Sequence, residues 1–393
     1  NENFTQIYAN DKIEFHRLCT FDTVKARYVK LTVEKSDNLP KIREMEIYNA
    51  VPEKKNDFRV STYSTLGGSV FGIIDDTTLS DAEKDAKIKE LIDADYYDTV
   101  TDYIDIGNVR WDEEGIIHTD GWDGIERDED KYYAVMMRNL HEVLDEKGVN
   151  LVITILNPSG ENGNQRVMKS ITENRDTLIT NMIAFANKYE FDGIDLDWEF
   201  PLSQDEFDAY NSFLQELKAR MKTEMWNKED ATLSLALATW ALKYTPETIE
   251  CIDYVNVMGY DILDQDGQHS SFFSSCVQAA DYIEIQGFSK EQINIGFPFY
   301  GTWEGGRMEQ YAYNAISEEI SPFNNFYTMK KSDTKEDRYT YFNSQAIIRD
   351  KTAYAYLKGY GGVMIFSQYC DLPSDDERSL TKAISDYLQE VTK

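Results

Sequence analysis

The sequence predicts an α/β protein, a (β/α)8 TIM-type barrel with a small β segment at its N-terminal end. Three observations point there: eight short apolar runs, long amphipathic stretches between them, and the lack of a G-x-G-x-x-G turn after the first run. At 393 residues the chain exceeds one average domain, and a barrel with insertions can absorb most of it.

Residues 1–50 read as a β-rich fragment. In "ARYVKLTVEKSDNLPKIREMEIYNA", Val29, Leu31 and Val33 alternate with Tyr28, Lys30 and Thr32, and "EMEIY" offers a second short strand. "VPEKKND", with Pro52 and several charges, reads as a linker, which places the second domain at 58–393. There, strands are expected at 58–64, 102–107, 150–156, 193–199, 233–239, 253–260, 293–299 and 362–368. Apolar spacing of three and four predicts helices at 80–96, 131–148, 173–190 and 204–222, with others near 271–286, 343–358 and 374–391. A doubly wound sheet is the structural alternative. It would want a phosphate-binding turn, and "TYSTLGGSVFG" lacks the glycine spacing.

A formal charge of −31 argues against nucleic acid or anionic lipid as partner, because a polyanion would be repelled over most of the surface. No apolar run reaches the ~18 residues of a membrane span. The 26 Tyr, 19 Phe and 6 Trp suit a neutral sugar ligand, although most of them should fill the core. Cys19, Cys251, Cys276 and Cys370 show neither CxxC nor ligand spacing, so no zinc site, disulfide framework or cofactor is indicated. A first residue other than Met and the lack of an apolar leader predict a chain trimmed at its N-terminus, one destined for secretion, the cell surface or the periplasm.

The chemistry concentrates in "FDGIDLDWEFP", residues 191–201. Strand alternation puts Asp195, Asp197 and Glu199 on one face and Ile194, Leu196 and Trp198 on the other. The apolar set suits the helix side of a barrel, so the carboxylates should face the lumen. Stacked ~6.5–7 Å apart in a low-dielectric interior, they cannot all ionise cheaply, and at least one should hold its proton. Glu199, at the strand's C-terminal end where barrel sites open, is the candidate general acid. Asp192 has the opposite parity and reads as structural. A solvated charge run or a Mg²⁺ or Ca²⁺ cage are the competing readings.

"DGIDLDWE" fits the DxxDxDxE motif of family 18 glycoside hydrolases, the chitinases and related endo-β-N-acetylglucosaminidases, and the "WEFP" continuation is similar to the chitinase branch. "YVNVMGYD", "IGFPFYGTW" and "GYGGVMIFSQYCD" resemble the sixth, seventh and eighth strands of that family, so the similarity runs over about 58–391. The resemblance implies substrate-assisted cleavage of β-linked N-acetylglucosamine, in chitooligosaccharides or in the chitobiose core of N-glycans on glycoproteins. Glu199 would act as acid and base, Asp197 would hold the acetamido N–H, Asp195 would tune Asp197 through a shared proton, and Tyr260 would orient the acetamido group. Asp261 and Met258 would line the sugar site.

The chain also departs from the family pattern. Phe366 stands where a Trp usually forms the floor, and Leu156 and Asn157 replace two glycines after the third strand. The large insertion that many family members carry after strand seven should be short or absent. Tyr63, Trp111, Trp240 and Trp303, near strand ends, are candidate sugar platforms. His118, His141 and His269 form no ligand set and read as ordinary surface or loop residues. "ARYVKLTVEKSDNLPKIREMEIYNA" resembles the closing strands of a discoidin-type module. A non-catalytic lectin on the same fold is the rival function; such proteins usually lack the acid Glu, which is present here.

Overall fold

The computed structural model describes residues 57–93, 98–120, 124–125, 127–262, 273–303, 310–316, 321, 324–330, 337–373 and 375–391, with 4–9, 19, 21–36, 39–40, 42, 45 and 47 of the N-terminal segment. Eight parallel strands close into a barrel: β1 (Arg59–Ser64), β2 (Asp102–Trp111), β4 (Asn150–Leu156), β5 (Gly193–Leu196), β6 (Thr232–Leu237), β7 (Tyr254–Val257), β8 (Ile293–Pro298) and β13 (Gly362–Phe366). β1 pairs with both β13 and β2, which seals the ring. β3 (Ile117–His118) folds back antiparallel on the end of β2.

Helices α1 (Gly67–Asp75), α2 (Asp81–Asp93), α3 (Tyr133–Lys147), α4 (Gly163–Thr172), α5 (Arg175–Lys188), α6 (Gln204–Glu224), α7 (Pro246–Cys251), α8 (Phe273–Ile285), α10 (Gln345–Lys358) and α11 (Leu380–Val391) pack around it. α6 starts on a capping box in which Ser203 accepts from the Glu206 N–H and Glu206 reaches back to Ser203. α3 ends on Gly148 with φ of 67°, a conformation that glycine takes without steric cost.

Strand alternation divides the barrel wall between two environments. Val60, Ile153, Ile194, Leu196, Val255, Ile295 and Val363 join the large core under the helices, while Tyr63, Ile104, Ile106, Val152 and Met364 form a smaller cluster in the lumen. Each such aliphatic side chain contributes ~1.5–3 kcal/mol on burial, and the large core carries most of them.

All eight expected strands form, but five of the expected ranges overran at the C-terminal end: 193–199 stops at Leu196 and 253–260 at Val257. There the backbone leaves the ladder to line the barrel mouth, a change that side-chain periodicity does not signal. β2 does the opposite and runs on to Trp111, through a register shift between Asp105 and Val109. α1, α4 and α7 were not expected. The first begins in Gly-Gly, the second follows a loop rich in Gly and Asn, and the third spans six residues behind a Pro.

The insertion after the seventh barrel strand is present and small. Strands β9 (Tyr300–Trp303), β10 (Gln310–Ala312), β11 (Phe326–Lys330) and β12 (Asp337–Tyr341) form an antiparallel sheet in the order β10-β9-β12-β11, with the short helix α9 (Tyr313–Ile316) after β10.

The N-terminal segment differs from expectation. Residues 21–36 form no strand, and Tyr28, Val29, Leu31 and Val33 are exposed. An alternating run becomes a strand only when a neighbour accepts its ladder hydrogen bonds, and no described residue supplies one. "EMEIY" falls mostly outside the described residues. No disulfide links the four cysteines, and among the described residues no helix is long and apolar enough to cross a membrane.

Candidate active site

The ends of β1, β2, β4, β5, β7 and β13 enclose a cleft of about 680 Å³. It is built up from β5. Asp195, the third residue of that strand, is fully buried in the lumen and accepts three hydrogen bonds: Ser234 Oγ at 2.6 Å on Oδ1, Thr154 Oγ1 at 2.8 Å and Tyr63 OH at 3.0 Å on Oδ2. Burial raises its carboxyl pKa, and these donors oppose the shift.

Asp197 and Glu199 follow on the same face and line the cleft, as strand parity required. Asp197 Oδ1 is buried without a protein partner. Burial first, then the charges of Glu199 and Asp195, push the Asp197 carboxyl well above the ordinary range. Glu199 reaches solvent at the mouth and is raised by partial burial and then by Asp261. The two carboxyls therefore retain a shared proton to higher pH than an ordinary acid. On the opposite parity, Trp198 is buried, donates from Nε1 to Asn164 at 3.1 Å and meets Tyr210 edge-on. Asp192 accepts from the Leu151 N–H at 2.8 Å, outside the cleft.

Two strands along from β5, the end of β7 brings Met258, Tyr260 and Asp261 to the cleft. Asp261 has φ of 56° and accepts from Tyr300 OH at 2.9 Å. Among the described residues no group hydrogen-bonds the Tyr260 hydroxyl, which leaves it open to a ligand. The Tyr260 ring stacks on Phe366, with centroids 5.8 Å apart and planes 15° apart, and Tyr63 and Tyr300 meet Phe366 edge-on. Phe366 is thus the centre of an aromatic floor. Leu156 and Asn157 line the wall beside it.

The expected platforms fare differently. Tyr63 lines the cleft as expected, but it is only 2% exposed, and its hydroxyl donates to Asp195. Trp111 is buried in the core and donates from Nε1 to Ser170 Oγ at 3.0 Å, because β2 runs further than expected and carries it under α4. Trp240 is 45% exposed and packs edge-on against Phe200 in a depression beside the main cleft. Trp303 ends β9, and its side chain lies outside the described residues. His118 pairs with Asp112 and His141 with the Tyr189 carbonyl, both away from the cleft, while His269 falls outside the described residues.

Two cationic cleft residues carried no sequence signal. Arg110 is held by both oxygens of Asp120, and Arg166 by Glu113 at 3.0 Å. Among the described residues, Arg110 Nη1 and both Nη atoms of Arg166 have no partner, and both residues line the cleft. Arg110 sits past the expected strand end and Arg166 in an unexpected helix, so neither carried a local signal. Among the described residues no group of three His, Cys, Asp or Glu side chains could hold a metal ion.

Comparison with known proteins agrees with this geometry. The model of "Glycosyl hydrolases family 18" matches residues 128–371. The chain is 38% identical over 104 residues to the killer toxin subunits alpha/beta of Kluyveromyces lactis, covering 23% of this chain and 9% of that protein. It is 27% identical over 269 residues to chitinase A1 of Niallia circulans, covering 52% of this chain and 38% of that protein. The chain thus spans well under two thirds of these curated relatives. A crystal structure of a chitinase from Bacteroides thetaiotaomicron superposes with a TM-score of 0.63 at 19% identity, covering 85% of this chain and 97% of that one, which shows the same fold. With both the β5 carboxylates and the Met258–Asp261 turn inside the matched span, the chain belongs to glycosyl hydrolase family 18.

Proposed function

We propose that this protein is a retaining glycoside hydrolase that cleaves β-linked N-acetylglucosamine glycans, chitooligosaccharides first, by substrate assistance through an oxazolinium intermediate. The observation that carries this reading is the arrangement of carboxyls at the end of one strand and in the residues that continue it. Asp195 on β5 and Asp197 and Glu199 in the segment that continues it all approach from one side, so none of them faces the anomeric carbon from the side opposite Glu199, as a protein nucleophile would. The sugar's own 2-acetamido carbonyl can attack from that side. Glu199 protonates the leaving oxygen, while Asp197 accepts the acetamido N–H and offsets the oxazolinium charge. The Tyr260 hydroxyl orients the acetamido carbonyl.

Water then attacks the anomeric carbon, Glu199 takes its proton, and configuration is retained. Phe366 stacks under the distorted sugar, with less area than a Trp would offer. Arg110 and Arg166, oriented by Asp120 and Glu113, supply guanidinium donors to glycan oxygens along the β2–β4 wall. The chitinases among the relatives support chitin-type substrates, and the chitobiose core of N-glycans shares the cleaved linkage. Action on such polymers fits secretion or display at the cell surface.

Mass spectrometry of products from a panel of chitooligosaccharides and N-glycoproteins tests the reading. Shortened N-acetylglucosamine oligomers whose first-formed product is the β-anomer are expected. Binding without any cleavage would favour the lectin, and a first-formed α-anomer would remove substrate assistance.

A further inference from the structure

A chain of hydrogen bonds crosses the barrel from its N-terminal mouth to Asp195. Arg59, the first residue of β1, donates from Nε to Asn294 Oδ1 on β8 at 3.1 Å. Asn294 donates from Nδ2 to Asn256 Oδ1 on β7 at 3.1 Å and to Ser61 Oγ at 3.2 Å. Asn256 donates from Nδ2 to Tyr63 OH at 3.1 Å, and Tyr63 donates to Asp195 Oδ2 at 3.0 Å.

The direction of this chain is fixed at one end. A guanidinium has donors and no acceptor, so Asn294 must turn its oxygen to Arg59 and its amide hydrogens to Asn256. Asn256 must then present its oxygen to Asn294 and its hydrogens to Tyr63. The Tyr63 hydroxyl already accepts a bond, so its single proton points at Asp195.

The surroundings are built to hold these groups. Ser61, Asn256 and Asn294 are fully buried, and unpaired amides there would be costly. A Cβ on Gly361 would lie 2.2 Å from Arg59 Nη2, and one on Gly362 would lie 2.7 Å from Arg59 Cβ and 2.8 Å from Asn294 Oδ1. These two glycines keep open the space where Arg59 meets Asn294. Arg59 also donates to the Glu291 carbonyl and lies over the Tyr254 ring, 4.9 Å from its centroid.

We propose that Arg59, Asn294 and Asn256 form a polarised relay that fixes the Tyr63 proton on Asp195 and so keeps Asp195 ionised beside the Asp197–Glu199 pair. None of the three lines the cleft, so they are positioning residues. The proposal rests on the reading of Asp195, Asp197 and Glu199 as the reacting set. Without Arg59 both amides are free to turn over, and the Tyr63 hydroxyl loses its imposed direction. Asp195 then protonates more easily, and the charge that holds a proton on the neighbouring pair is lost.

The titratable groups facing Asp195 are Asp197 on its own strand, Tyr63 on β1, Tyr254 on β7, Tyr260 beyond its end and Tyr210 on α6. All four tyrosines are raised well above their ordinary range by burial and stay neutral. Among these groups, charge changes between about pH 3 and 8 therefore come from Asp195 and Asp197, and from Glu199 coupled to it.

The test is a ¹³C carboxyl titration of aspartate-labelled full-length protein, with the Asp195 signal assigned by its loss in Asp195→Asn. In Arg59→Met the Asp195 midpoint is expected to rise by about half to one pH unit, the effect of one charge acting across the barrel. Arg59→Lys, which keeps a charged donor, should recover most of it. Asn294→Leu breaks the chain while keeping Arg59 and should shift the midpoint in the same direction. The acidic limb of kcat/KM on a 4-methylumbelliferyl chitobioside should move with the midpoint at nearly unchanged KM. A midpoint that stays put in Asn294→Leu overturns the relay, whether or not Arg59→Met moves it through its charge and even if thermal stability falls. A wild type that shows the shift series yet hydrolyses nothing would retain the relay and overturn the proposed function.

Discussion

Two acids, Asp105 on β2 and Asp195 on β5, are completely buried in the same barrel wall, and they face opposite ways. Asp195 points into the lumen, takes donors from the flanking strands β4 and β6 and from β1 across the lumen, and abuts Asp197, with Glu199 beyond. Asp105 points under the helices, where it accepts from Asn108 at 2.7 Å and Tyr133 OH at 2.9 Å and has no charged neighbour of note. Burial raises both, Asp105 to about 7. The difference teaches that desolvation alone marks a buried acid without giving it work. Convergence with other carboxyls at the open end of the barrel is what sets Asp195 apart and supports the proposed role of Asp195, Asp197 and Glu199.

The largest expected effect lies at the mouth. Glu199→Gln should lower kcat by about 10²–10⁴-fold with binding of chitooligosaccharides retained, read by initial rates and calorimetry. Asp195→Asn should lower kcat on the order of tenfold. It should also move the alkaline limb of the pH–rate profile to lower pH, because one of the charges that raise Asp197 is gone. If Asp105→Asn produced an equal loss of kcat, the contrast between the two acids would fail.

For Asp105 the expectation concerns stability. Its folded pKa is raised from 3.8 to about 7, so the folded protein binds the extra proton, and stability should decline as pH rises through that window. Asp105→Asn should flatten this decline and raise Tm by a few degrees at pH 8, measured against wild type across the range. The smallest effect is expected for Trp111→Phe, which loses the bond to Ser170: about 1 kcal/mol of stability in denaturant titration, with kcat unchanged. A marked loss of kcat would restore Trp111 as a sugar platform.

The same contrast shows what the sequence could convey. Strand parity in "GIDLDWE" was decisive because three acids alternate with three apolar residues, a pattern that only one orientation in a barrel satisfies. "DYIDIG" holds Asp105 in a run that looks alike on either face, and nothing local told its direction. Tyr63 lines the cleft with its hydroxyl on Asp195 and Trp111 turns into the core, and no local signal separates them: an aromatic near a strand end has the same signature whether it opens to the cleft or turns inward. Their orientation depends on strand register and on the extra length of β2, both set by closure of the ring. Arg110 and Arg166 come together because β2 pairs with β4 beyond its expected end and α4 follows β4. The eight strands were legible as short runs rich in apolar residues between amphipathic stretches, and their ends were not, because the site begins where the ladder stops.

In the proposed mechanism the sugar's own acetamido group is the nucleophile, aided by Asp197 and Tyr260. The most direct test is kcat/KM on 4-methylumbelliferyl chitobiosides whose 2-acetamido groups carry zero, one, two or three fluorines. Each fluorine weakens the carbonyl as nucleophile, so the rate should fall steadily, by roughly tenfold or more across the series. A rate independent of fluorination would contradict substrate assistance and assign the displacement to a group of the protein.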